Sequence, residues 1–150
     1  MKHKGARMEF HRERTEDLMR AYVEYVSSCG KVSMSDVYRK IVDMPSSRFW
    51  VSDTRAAVVM SAVLRGEPVL ERMWSLRREM YTEICRRVMK LRSQRPDMTV
   101  PQLCSAVVSQ PAPKFYLTPG SAKMLICKAR KEWKKRKLEK LRRLSSRLFR

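Results

Sequence analysis

The sequence predicts a mainly α-helical protein: a tandem duplication of a three-helix, helix-turn-helix-like unit, with a short extended segment before each third helix and a long basic C-terminal helix. Three observations carry this expectation. An eight-residue stretch recurs at a fixed offset, apolar residues at helical spacing fall at matching places in both copies, and positive charge gathers toward the C-terminus.

Pro45–Ser52 reads P-S-S-R-F-W-V-S, and 66 residues later Pro111–Thr118 reads P-A-P-K-F-Y-L-T. The same offset, held without a gap, pairs Arg12-Glu13 with Arg78-Glu79, Arg20 with Arg86, Val42 with Val108 and Ala56 with Ala122. Conservative pairs fill the intervals: Leu18/Ile84, Tyr22/Val88, Val37/Leu103 and Ile41/Val107. A gapless register whose apolar positions also agree is hard to obtain by accident. It divides the chain into a basic N-terminal segment (1–11), a first repeat (12–66), a connector (67–77), a second repeat (78–131) and a basic C-terminal helix (132–150).

The first helix of the first repeat is expected over 12–28, with Leu18, Tyr22 and Tyr25 at i, i+4, i+7 and Cys29-Gly30 as its stop. Its counterpart carries Ile84, Val88 and Leu91 and stops at Arg95-Pro96. The second helix opens on Ser33-x-x-Asp36 or Thr99-x-x-Gln102, the spacing at which two side chains satisfy the free amides of a first turn. It buries Val37 and Ile41, or Leu103 and Val107, and ends before Pro45 or Pro111.

Residues 48–51 and 114–117 are aromatic and β-branched, hence expected extended, with Phe49 and Val51 on one face and Arg48 and Trp50 on the other. The third helix starts from Ser52 or Thr118 as N-cap, with Pro119 at a first position where its missing N–H costs nothing. Ala56, Val59 and Val63, or Ala122, Leu125 and Ala129, form its buried stripe. Gly66-Glu67-Pro68 ends the first of these helices. The second has no such stop and is expected to run on through 132–148, keeping Leu138, Leu141, Leu144 and Leu148 as an apolar stripe.

The net charge of +19 calls for a partner that neutralises it, and nucleic acid is the commonest such partner. The charge is unevenly placed: +2 over 12–66 against +8 over 78–131 and +7 over 132–150. Phosphate contacts are therefore expected from Arg48, Arg55, Lys114, Lys123, Lys128, Arg130, Lys131, Lys134, Lys135, Arg136, Lys137, Lys140, Arg142 and Arg143. Trp50 and Tyr116, each two residues from a basic one, are candidates for stacking on unpaired bases, with packing the more usual role for such rings.

Two DNA-reading architectures compete with plain helical packing. In a helix-turn-helix the first turn of the third helix would meet the major groove, although a connection of about eight residues is longer than the usual three or four. In a ribbon-helix-helix arrangement the two extended segments would pair, turning Arg48, Trp50 and Ser52 outward beside Lys114, Tyr116 and Thr118.

Enzyme chemistry is not expected. The carboxylates Asp36, Asp43 and Asp53 align with Gln102, Ser109 and Pro119, and no Gly-rich phosphate loop, nucleophile elbow or HExxH is present. Cys29, Cys85, Cys104 and Cys127 are scattered and far in sequence from His3 and His11, so neither a metal nor any other cofactor is called for, and free thiols in a reducing compartment are expected. With no signal-peptide pattern and no long apolar run, the expected location is cytoplasmic, without a membrane or small-molecule partner.

The resulting expectation is a non-catalytic nucleic-acid-binding protein that grips DNA or RNA phosphates through its second repeat and C-terminal helix. The alternative is an accessory subunit of a larger nucleic-acid-processing complex (reverse transcriptase, polymerase or recombinase), docked through the nearly neutral first repeat.

Overall fold

Six helices follow one another in a computed structural model that describes residues 4–148, with side chains from Phe10 to Leu148. They are α1 (Lys4–Ser28), α2 (Met34–Val42), α3 (Asp53–Leu64), α4 (Ser75–Gln94), α5 (Val100–Val108) and α6 (Pro119–Leu148). No strand occurs among the described residues, and the protein is mainly α-helical as its periodicity predicts. The side chains of the basic N-terminal segment up to Glu9, and Arg150 at the other end, lie outside the described residues.

Local chemistry fixes most helix ends. Thr99 and Gln102 form the full reciprocal capping box, Gln102 N donating to Thr99 Oγ1 at 3.4 Å and Thr99 N to Gln102 Oε1 at 3.0 Å. Ser52 and Thr118 cap α3 and α6, accepting from the amides of Arg55 and Ser121, both at 3.1 Å. The box expected at Ser33 and Asp36 is not made. Ser33 Oγ lies 2.8 Å from Ser35 Oγ, and Asp36 pairs with Arg39 one turn on.

Gly66 ends α3 with φ +79, which a side chain rarely tolerates. Its amide donates to Val63 O and that of Glu67 to Ala62 O, the two bonds of a Schellman stop. The second segment has no such stop, and α6 runs on to Leu148.

The helices do not pack in the consecutive threes that the sequence suggests. α3 shares no contact with α1 or α2 and lies instead on α5 and α4, while α6 lies on α2 and α1. Two cores result. One joins Ala56, Val59 and Met60 of α3 with Tyr81, Ile84 and Val88 of α4 and Leu103, Cys104, Val107 and Val108 of α5. The other joins Leu18 and Ala21 of α1 with Val37, Tyr38, Ile41 and Val42 of α2 and Ala122 and Ile126 of α6.

The cause lies in the chain after α2 and after α5. Each stretch crosses to the other core, and the two meet at one antiparallel bridge, Ser46 N to Ala112 O and Ala112 N to Ser46 O, both 3.0 Å. Phe49 N then donates to Val108 O and Phe115 N to Val42 O, again at 3.0 Å each. Every atom in this pattern has its counterpart 66 residues on. Because the next amides go to helix ends in opposite cores, the bridge does not grow into a ribbon.

The expected alternation holds along both crossing segments, but both faces are covered. Phe49 and Val51 enter one core and Trp50 the other, while Phe115 and Leu117 enter that other core and Tyr116 the first. Tyr116 takes a left-handed backbone, φ 55, an unfavourable state for an aromatic residue that its neighbours must hold in place. Its ring stacks on Phe49 with centroids 6.1 Å apart.

Candidate nucleic-acid interface

The crossing segments are pinned by carboxylates that lie outside the acidic positions compared in the sequence. Asp17, buried on α1, accepts at Oδ2 from Ser47 N (2.9 Å), Ser47 Oγ (2.9 Å), Ser46 Oγ (3.0 Å) and Trp50 Nε1 (3.3 Å). Its other oxygen accepts from Arg20, which also reaches Pro45 O at 3.2 Å. Burial alone would raise this carboxyl, but the Ser47 amide, Arg20 and the two serine hydroxyls together hold it below the ordinary range.

Sixty-six residues on, Glu83 binds Arg86 and Arg87, and Arg87 reaches Pro111 O at 2.8 Å. Those bonds, Arg86 foremost, bring the Glu83 carboxyl down to about 2. Adding the repeat offset to Asp17 gives Glu83, so the register itself held the signal.

Of the expected phosphate contacts, Arg48 and Lys114 are turned inward. Arg48 donates to Phe49 O (3.1 Å) and Val51 O (3.2 Å), with its guanidinium over the Phe10 and Trp50 rings at 4.9 and 5.5 Å. Lys114 pairs with Glu79 and lies over Tyr116. Free carbonyls at a chain crossing and a nearby carboxylate recruit these cations. Trp50 and Tyr116 are half-buried packing residues, and burial pushes the Tyr116 phenol up to about 12.

The remaining positions divide between the two cores. Arg55 is exposed on the first turn of α3. All the others stand on α6, where Lys123, Lys128, Arg130, Lys131, Lys134, Lys135, Arg136, Lys137, Lys140, Arg142 and Arg143 are exposed. Arg147, a turn past Arg143, is exposed as well and belongs with them.

No cation of α6 forms an ion pair with any described residue. Arg130 rests over the Tyr22 ring and Lys137 over Trp133. Lys128, Lys131, Lys135 and Arg142, at i, i+3, i+7 and i+14, share one side of the helix. Arg136, Arg143 and Arg147, again at i, i+7 and i+11, adjoin them. From Lys123 to Arg147 the axis spans about 36 Å at the usual rise, so the twelve cations named on α6 recur about every 3 Å. A nucleic-acid strand carries its phosphates at about that interval.

Other chemistry has little to stand on among the described residues. No group of three His, Cys, Asp or Glu side chains is placed to hold a metal, and no helix is long and apolar enough to cross a membrane. The four cysteines are free, and burial pushes the Cys104 thiol up to about 11, keeping it protonated. Comparison of the chain with protein-family models, with curated proteins and with solved structures gives no match in any of the three.

Proposed function

We propose that this protein is a non-catalytic nucleic-acid-binding protein that holds phosphates along the cationic side of α6. The observation that carries the reading is the run from Lys123 to Arg147, exposed and free of ion pairs with described residues, at a spacing that suits a phosphate backbone. Such a helix repels itself in water, and a polyanion relieves the repulsion while releasing its own condensed counterions.

The scaffold in this reading is a tandem duplication that has exchanged third helices. The offset of 66 residues relates the sequence matches, the bridge at Ser46 and Ala112, the paired amide bonds of Phe49 and Phe115, and the Asp17 and Glu83 clamps. Each helix-turn-helix-like pair is then formed across the exchange, α3 on α5 and α6 on α2. Neither pair uses Arg48 or Lys114 on phosphate.

The test is a titration of the full chain against labelled duplex DNA and single-stranded RNA over a range of potassium chloride concentrations. Affinity should fall steeply and linearly on a log–log scale. An affinity for both polymers that stays flat with salt would overturn the proposal.

A further inference from the structure

Phosphate binding accounts for one side of α6 and leaves the other side without a purpose. Ile126 is the last fully buried residue of the helix, which continues for 22 residues past it, about 33 Å at the usual rise. Residues 130–148 are all exposed. Leu141, Leu144 and Leu148, at i, i+3 and i+7, share a side, with Leu138 and Trp133 at its borders, and these five are 47% to 80% exposed.

The phase of the stripe is informative. Leu144 lies eighteen residues beyond Ile126, five whole turns, so it points the way Ile126 does. The seam that seats α6 on α1 and α2 therefore continues past the bundle with nothing on it. Contiguous exposed apolar surface of this kind marks a contact site.

We propose that the leucine side of the α6 extension docks, as a helix in a groove, into an apolar channel with an acidic rim on another protein. Charge complementarity selects this occupant. Lys134, Lys137 and Lys140 border the leucines, so a groove edged with carboxylates matches both the stripe and its margins. A second copy does not, because each tail carries +7 over 132–150 and the two would be brought to about a Debye length from each other.

The rest of this chain does not fit either, since residues 12–66 are themselves net positive. A bilayer surface prefers an unbroken apolar arc. Here Lys134 and Lys137 interrupt the arc between Trp133 and Leu141, whereas a protein groove offers a carboxylate at a fixed place for each. The inference goes beyond phosphate binding and does not depend on it.

The experiment uses the full chain and a stand-in of the stated chemistry: calcium-loaded calmodulin, an acidic protein with an open apolar groove. The expected result is one-to-one binding that weakens at least 30-fold in Leu141→Ser/Leu144→Ser, a variant that leaves every charge in place. Both leucines are exposed, so the variant should keep the melting temperature of the parent. It should also keep the parent's salt-dependent binding to nucleic acid, which separates failure of this proposal from failure of the other.

Vesicles of phosphatidylcholine and phosphatidylserine, and sedimentation of the protein alone, complete the test. Equal calmodulin affinity in parent and variant would overturn the proposal. So would leucine-dependent attachment to the vesicles in preference to calmodulin, or a dimer that the two serines dissolve.

Discussion

Neutralising one side of α6 while sparing the other gives the sharpest test of the phosphate-binding proposal. Seven cations stand on the side away from the leucines: Lys128, Lys131, Lys135, Arg136, Arg142, Arg143 and Arg147. Each duplex phosphate neutralised contributes about −0.9 to the slope of log affinity against log salt. Full use of that side gives a slope of about −6, and hence a loss of about 10⁴ in affinity between about 50 and 200 mM salt.

Changing Lys128, Lys131, Lys135 and Arg142 to Gln should reduce the slope to about −3 and the loss over the same range to about 40-fold. None of the four is in an ion pair with a described residue, so unfolding free energy should stay within about 0.5 kcal/mol of the parent. Fluorescence anisotropy with a labelled duplex reads the slope directly. A matched control changes Arg130, Lys134, Lys137 and Lys140, which stand on or beside the leucine side. If both sets flatten the slope equally, α6 has no preferred side and the reasoning from helical phase fails.

Three further outcomes follow from the packing. Asp17→Ala strands the Ser47 amide and the Trp50 indole, and should cost about 2–3 kcal/mol in a urea melt; a loss below about 0.5 kcal/mol would show that Asp17 does not pin the crossing. Glu83→Gln should cost of the order of 1–2 kcal/mol at pH 7, allowing for solvent around the exposed Arg86. The folded pKa of Glu83, about 2, lies below its ordinary value of 4.5, so this contribution is full above about pH 4.5 and fades as pH falls through 2. Parent and variant should therefore converge in acid melts, and a constant gap would contradict the ion-pair account. Cutting the chain at a protease site placed between Glu67 and Trp74 should leave two halves that elute together, because each half supplies the third helix of the other's core; halves that separate on a sizing column would contradict the exchange.

Much of this fold could be read from the sequence because its signals are local. The caps at Ser52, Thr99 and Thr118 need only residues three positions apart, and they form as expected. Ser33 and Asp36 have the same spacing, but Arg39 lies within reach of Asp36 and takes the carboxylate from the helix start. The exchange was not legible. Ala56 and Val59 announce a buried stripe but not its partner, and two segments with matching stripes offer α3 two nearly equivalent seats.

Site residues follow the same division. The α6 cations were visible as composition alone, because no described carboxylate answers them. Arg48 and Lys114 looked like their neighbours in charge, and only the crossing shows that Val51 O and Glu79 hold them. Asp17 and Glu83 were in the register from the start, but their role depends on Ser47 and Pro111, residues brought near only by the fold.

The exchange also sets an order of events during synthesis. α3, α4 and α5 are contiguous, so their core can close once residues up to about 112 have left the ribosome. α1 and α2 emerge earliest, yet they wait for α6, the last helix made, to cover Leu18, Val37 and Ile41. Long-range closure of this kind comes late in folding, and here translation enforces the delay. Ribosome-bound chains stalled with residue 115 exposed should protect the amides of α3–α5 from exchange and leave those of α1 and α2 open. For that interval the nascent protein presents an uncovered apolar pair of helices at its own N-terminus, which is where a chaperone would be needed.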